Sequence, residues 1–221
     1  MIVKLVYTVL FSFFLAGPLW GGSPSELTGV ATLFSLHPSD GVMAIGTAFV
    51  SGDGELMTAA HCIADDYSII QYVVAFHEPT WRAYVARVGG INKDSDVATL
   101  TYKPDDTLKR YVFQLSTASP TLEAGETAVA ICSSPKDSLN IKYFRVLQTN
   151  YKGEGGVLLR GLATKGVSGS PVVVKRDGKP VLIGLISEAG RKGHVLVRGQ
   201  APHSRGKPPQ FTPLALEPSS L

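Results

Sequence analysis

Three side chains in this sequence have the types and surroundings that nucleophilic chemistry needs. Ser168 lies in Gly166-Val167-Ser168-Gly169-Ser170-Pro171. Small neighbours let the backbone fold close to a bound carbonyl, so that main-chain N–H groups can face a developing oxyanion. His61 lies in Thr58-Ala59-Ala60-His61-Cys62. Its imidazole titrates near physiological pH and can take a hydroxyl proton, then return it to a leaving group. Asp96 opens Asp96-Val97-Ala98-Thr99-Leu100, and a carboxylate there can hold an imidazole in one tautomer and stabilise its cation. Base, orienting acid and nucleophile thus occur in the order His, Asp, Ser. Asp94 is the rival to Asp96, and Ser170 the rival to Ser168. His37, His77, His194 and His203 have no comparable setting, and no H-x-x-x-H or C-x-x-C spacing occurs, so neither a metal nor a cofactor is expected.

Positioning three such groups, far apart in sequence, is the task of strands. Segments rich in β-branched residues fall at 29–36, 42–51, 55–58, 67–76, 81–88 and 96–102. A second series falls at 127–132, 141–149, 157–162, 170–175, 181–187 and 194–198. Turn signals separate them, with Gly52-Asp53-Gly54 and Asp177-Gly178 the clearest. No helical period competes, so the pattern reads as all-β. The polar stretch within 103–126 reads as the connection between two halves.

Composition agrees. The chain has 221 residues, enough for one large domain or two small ones sharing a core, and its 23 Gly and 14 Pro favour many turns. A net charge of +3, with no basic cluster carrying interleaved aromatics, argues against a nucleic-acid partner. Lys4 followed by an apolar run from Leu5 to Ala16, broken by Pro18, Gly21 and Gly22, reads as a secretory signal peptide over 1–22. The run is shorter than the roughly 20 residues that span a bilayer, although an uncleaved anchor is the alternative. A secreted or periplasmic protein, with no stable membrane insertion after leader removal, is the expectation. The Pro- and Ser-bearing stretch 199–221 reads as a disordered tail. Cys62 and Cys132 read as two buried free thiols, with a bridge between them the alternative.

These motifs resemble the trypsin/chymotrypsin-like serine protease superfamily, above all its shorter HtrA-like and glutamyl-endopeptidase-like bacterial branches. Gly46-Thr47-Ala48-Phe49-Val50 and Met57-Thr58-Ala59-Ala60-His61 match the family's entry to its histidine, and Asp96 stands directly before its hydrophobic-Ala-x-Leu strand. The resemblance covers about 28–198; the stretch beyond is too short for a PDZ module. It implies two six-stranded antiparallel β-barrels with the active site in the cleft between them. It also implies a serine endopeptidase acting on polypeptides through His61, Asp96 and Ser168, with the N–H groups of Gly166 and Ser168 as oxyanion hole. Counting six residues back from Ser168 places Leu162 and Ala163 at the primary pocket, and the strand Gly184-Leu185-Ile186-Ser187 implies a substrate-pairing edge. Ile186, Ser187 and Ala189 then complete a pocket for a small or medium aliphatic side chain. Mammalian relatives pair the cysteine after the histidine with an earlier one, which aligns near Gly46; the partner of Cys132 aligns near Val174. Digestive and clotting relatives carry an aspartate where this chain has Val167, so the ion pair that activates them has no counterpart here. A silent peptide-binding relative and an esterase are the alternative functions.

Overall fold

The computed structural model describes residues 24–38, 40–52, 54–64, 70–77, 81–104, 109–113, 121–135, 138–151, 156–189 and 193–198. The expected leader and tail lie outside these residues. Six strands, β1 (Val30–His37), β2 (Gly41–Gly52), β3 (Glu55–Ala59), β4 (Gln71–Phe76), β5 (Arg82–Asn92) and β6 (Val97–Tyr102), close into one barrel. Six more close into a second: β7 (Thr127–Ser134), β8 (Ser138–Tyr151), β9 (Gly156–Arg160), β10 (Pro171–Arg176), β11 (Lys179–Ala189) and β12 (His194–Arg198). All pairings are antiparallel, in the orders β1-β2-β3-β6-β5-β4 and β10-β11-β12-β9-β8-β7. The all-β, two-barrel expectation holds, and each ladder closes on itself.

Strand lengths differ from the sequence reading where a bulge carries the ladder on. Gly89-Gly90 looks like a stop, yet β5 continues to Asn92 across a register shift between Val88 and Gly90. A glycine within a strand marks such a bulge as often as an end. β9, by contrast, stops at Arg160, two residues short of the expected end.

Strand β7 shows how the halves are joined. Its run Ala128–Ser133 is buried throughout, because successive side chains face opposite sides of a strand and both sides are covered. Ala128, Ala130 and Cys132 face the core of the second barrel, whereas Val129 and Ile131 join the core of the first. Ser133 continues the outward series and reaches the first barrel as a polar contact. Its Oγ lies 2.7 Å from Thr32 Oγ1 and 2.6 Å from His77 Nε2. Its N–H donates to Thr47 Oγ1 at 3.1 Å. The single proton of that Thr47 hydroxyl is within reach of two carbonyls, Ser133 at 3.2 Å and Gly166 at 3.0 Å. Thr47 is therefore a fully buried hydroxyl serving three backbone groups of the second barrel. Cys62 and Cys132 are both buried and free, each packed in a different core.

The connector is pinned from both ends. Arg110 lies 4.0 Å over the Phe76 ring and donates to Tyr84 Oη, while Phe113 N–H donates to Val50. At the far end the Arg176 guanidinium takes both carboxylate oxygens of Glu126 and also donates to the Thr121 carbonyl.

Thr47→Val keeps the β-branched shape and removes only the hydroxyl, stranding the Ser133 N–H and one or both carbonyls in a dry interior. At about 1–3 kcal/mol for each buried group left unpaired, urea unfolding should show a loss of roughly 2–4 kcal/mol. A loss below about 0.5 kcal/mol, the range of an ordinary surface substitution, would remove Thr47 from this role. A second expectation concerns acid. Burial lowers the pKa of His77 below its usual 6.5, so the unfolded chain takes up the proton first. The stability His77 supplies is complete above pH 6.5 and is lost as pH falls through the lowered value. His77→Gln should flatten the pH dependence of the urea midpoint between pH 7.5 and 5; an unchanged slope would show that His77 does not cause it.

Candidate active site

Asp96 ends a turn that begins at Lys93, whose carbonyl accepts from Asp96 N–H. It adopts a φ of 52°, in the left-handed region that Asp and Asn enter more readily than other side chains. The Asp96 carbonyl accepts from Ala60 N–H, which brings the turn against the end of β3. Its carboxylate then gathers three donors. His61 N–H lies 2.9 Å from Oδ1, His61 Nδ1 lies 3.1 and 2.9 Å from the two oxygens, and Ser187 Oγ donates to Oδ2. Burial pushes the Asp96 carboxyl up, but the bonds from the His61 ring, from Ser187 and from His61 N–H together hold it below the usual carboxylate range. Asp94 stands apart: its side chain is exposed, and only its carbonyl is engaged, by Arg198.

His61 sits in a single 3-10 turn, Ala60–Cys62, directly after β3. Ala59 and Ala60 are buried, so the turn can press into the barrel while the imidazole projects outward, about half exposed. The hydrogen bond to Asp96, with a further contribution from the Cys62 thiol, raises the imidazole above its usual 6.5 in spite of its partial burial. The Nδ1 side of the ring is thus committed to Asp96, leaving Nε2 toward the cleft.

Ser168 is held by contacts on either side of it. Thr47 N–H donates to the Ser168 carbonyl at 2.8 Å, so β2 fixes the loop main chain directly. At Gly46 a Cβ would meet that carbonyl at 2.8 Å; at Gly169 it would meet the Thr47 carbonyl at 2.2 Å. Gly169 also has φ 82°, a conformation a side chain resists. Glycine at both positions is what lets the loop approach β2 this closely. Ser170 is fully buried, beside the Cys132 thiol; it faces the interior and not the cleft. Val167 is buried in the second core, anchoring the loop by packing.

His61 and Ser168 border one recess of about 490 Å³. Ala163, Ser187 and Ala189 lie on its wall, as does the loop from Thr164 to Val167. The backbone N–H groups of Gly166 and Ser168 make no hydrogen bond among the described residues. Two of the expected pocket residues are elsewhere. Leu162 is 85% exposed in the bend just past β9 and does not floor the recess. Ile186 is wholly buried in the second core. Beyond it a register shift in β11 between Ile186 and Glu188 breaks strict alternation, so that Ile186 and Ser187 are both buried while Glu188 and Ala189 are both exposed. Two charged groups on the wall, Lys165 and Glu188, had no motif to mark them in the sequence.

A family model described as a trypsin-like peptidase domain matches residues 46–185. No curated protein sequence matches the chain. Among solved structures, the fold is similar to the serine endoprotease from Yersinia pestis, at 17% identity and a TM-score of 0.62, covering 79% of this chain and 59% of that one. It is similar to the Rv3671c protease from M. tuberculosis in its active form, at 18% identity and a TM-score of 0.63, covering 79% and 77%. A third likeness is to the HtrA-type protease AlgW with tripeptide, at 21% identity and a TM-score of 0.63, covering 80% and 57%. The chain thus spans under two thirds of the first and third of these. Because the family match takes in well over half of the sequence and runs from β2 to β11, with His61, Asp96 and Ser168 inside it, this chain belongs to the trypsin-like peptidase family.

Proposed function

We propose that the protein is a serine endopeptidase in which Ser168 is the nucleophile, His61 the general base and acid, and Asp96 the group that positions and charges the imidazole. The observation that carries this reading is an imidazole tied at Nδ1 to a partly buried, ionised Asp96, in the same recess as Ser168. In the proposed reaction Ser168 Oγ attacks the scissile carbonyl as His61 Nε2 takes its proton. The imidazolium then returns that proton to the leaving amine, giving an acyl-enzyme that water opens by the same steps in reverse. The free N–H groups of Gly166 and Ser168 are the donors assigned to the oxyanion, where loss of one typically costs about 10²–10³ in kcat.

Substrate enters this scheme as an added strand. β10 pairs with β11 only as far as Leu185, while β12 continues alongside to Ala189. Residues 187–189 therefore keep one open edge beside the recess, suited to the main chain of an extended polypeptide. Ala163 and Ala189 on the wall suit a small uncharged side chain at the residue before the scissile bond. Ordering of the oxyanion loop falls to Val167 packing and to Thr47, so removal of the 1–22 leader during export to the periplasm or medium is the only maturation assigned.

A fluorophosphonate probe should label folded wild-type protein at Ser168, and Ser168→Ala should abolish both labelling and peptide hydrolysis, a loss on the order of 10⁶ in kcat. Folded protein that resists the probe would favour a silent peptide binder; ester turnover without peptide turnover would favour an esterase. The pH profile tests Asp96. Protonated His61 cannot act as base, so kcat/KM should rise with pH through a pKa above 6.5, the direction in which Asp96 moves it. Asp96→Asn suits the left-handed backbone, yet it should lower kcat by about 10⁴ and bring the pH limb down toward 6.5. A severe effect of Asp94→Asn with a mild effect of Asp96→Asn would reverse the assignment.

A further inference from the structure

Gly166 supplies one of the two N–H groups assigned to the oxyanion, yet packing does little to hold it. A Cβ there would meet nothing within 4 Å, and its φ of 89° is a conformation that favours glycine. The bond that fixes it among the described residues comes from Thr47 Oγ1, which donates to the Gly166 carbonyl at 3.0 Å. The same hydroxyl lies 3.2 Å from the Ser133 carbonyl. Where Ser133 stands therefore decides how much of the Thr47 proton is left to Gly166.

Ser133 is placed in turn by His77, the residue directly after β4. His77 Nε2 lies 2.6 Å from Ser133 Oγ and 3.0 Å from Thr32 Oγ1, and the two hydroxyls lie 2.7 Å from each other. Trp81, itself half exposed, covers the ring with centroids 3.6 Å apart. The other nitrogen, Nδ1, is buried and has no hydrogen-bond partner among the described residues. A proton there would be a stranded donor, so the neutral ring carries its proton on Nε2, facing two hydroxyl oxygens. Thr32, Ser133 and Trp81, the groups bonded to or stacked on the ring, carry no charge. Glu78, next in the chain, lies outside the described residues. A second proton would put an N–H on Nδ1 with nothing to receive it, and burial accordingly lowers the pKa of the ring. The charged ring can be satisfied only by withdrawing from this site.

We propose that neutral His77 is a positioning residue for hydrolysis. It does not line the Ser168 recess; it holds Ser133 where Thr47 can keep the Gly166 carbonyl, and with it the oxyanion donors, in place. Acid that protonates His77 releases this hold. The inference rests on the peptidase reading and adds to it the support of the oxyanion loop and a second titration besides that of His61.

The test compares His77→Leu with His77→Gln, whose side-chain amide can donate where Nε2 does but takes up no proton. Turnover is counted per Ser168 titrated with the fluorophosphonate probe, so that loss of folded protein does not enter. At about pH 8 His77→Leu should lower this kcat about tenfold or more, approaching the 10²–10³ that loss of an oxyanion donor costs. KM should change little, and His77→Gln should restore most of the loss. The ratio of wild-type to His77→Gln kcat cancels the titration of His61, which both share. It should be flat above pH 6.5 and fall as the pH drops through the lowered His77 value. Should His77→Leu not fold, the His77→Gln ratio alone decides. A His77→Leu enzyme with wild-type kcat per titrated site, or a ratio that stays flat down to the pH at which the fold is lost, overturns the inference and leaves the peptidase reading standing. If wild-type protein neither cleaves peptides nor takes the probe, the peptidase reading fails and takes this inference with it.

Discussion

The close approach of β2 to the Ser168 loop is the constraint on which the rest of the structure turns. The contact is main chain against main chain, Thr47 N–H to the Ser168 carbonyl, and it exists only because Gly46 and Gly169 present no Cβ to the facing backbone. The Thr47 side chain then completes it, binding the Ser133 and Gly166 backbone across the barrel boundary. One residue of the first barrel thereby fixes both the relative placement of the barrels and the loop that carries the nucleophile. In a buried setting these bonds are hard to give up, because each group left behind would have no water to turn to. Apolar packing points the same way, since Val129, Ile131, Val173, Leu182 and Leu185 of the second barrel belong to the core of the first.

A second tie crosses the same boundary and carries charge. Asp96 belongs to the first barrel, Ser187 to β11 of the second, and their hydrogen bond joins the two beside His61. The carboxylate stays ionised because three donors converge on it, and the ionised form is what raises the imidazole. Structural and electrostatic roles are thus inseparable at Asp96. The turn that delivers it depends on the left-handed φ of 52°, while Asn92 Oδ1 caps the turn by accepting from Ser95 N–H. Asp94, two residues earlier on the same turn, has none of these donors.

Where the sequence was readable, the reason is physical. Both barrels were legible as β-branched runs broken by turn residues, because closed antiparallel ladders impose that pattern on nearly every element. The settings of His61 and Ser168 were legible because close packing restricts the residue types around them: alanines before His61, glycines flanking Ser168. The specificity wall was not. Counting back to Leu162 assumed that the loop after β9 keeps the register of the superfamily, and the bend at Gly161, tied by its N–H to the Gly193 carbonyl, turns Leu162 out to solvent. The assignment of Ile186 came from matching Gly184-Leu185-Ile186-Ser187 to the substrate-pairing strand, but Ile186 lies before the bulge and faces the second core, whereas Ala189 beyond it reaches the recess. Glu188 and Lys165 carry no period or motif at all; only their placement in the cleft gives them meaning.

The two thiols sharpen the argument about Gly46. The resemblance implies that mammalian relatives pair the cysteine after the histidine with one that aligns near Gly46. The structure keeps the geometry of that meeting, since a Cβ on Gly46 would lie 2.8 Å from Cys62 Sγ. The same Cβ would lie 2.8 Å from the Ser168 carbonyl, so in this backbone a side chain at position 46 would press equally on the thiol and on the nucleophile loop. With glycine there, the space is left to the loop, and Cys62 reaches only the Ile45 carbonyl, a weak thiol contact at 3.5 Å. Backbone proximity and the Thr47 hydroxyl hold the Ser168 loop here, so its order is a property of inter-barrel packing.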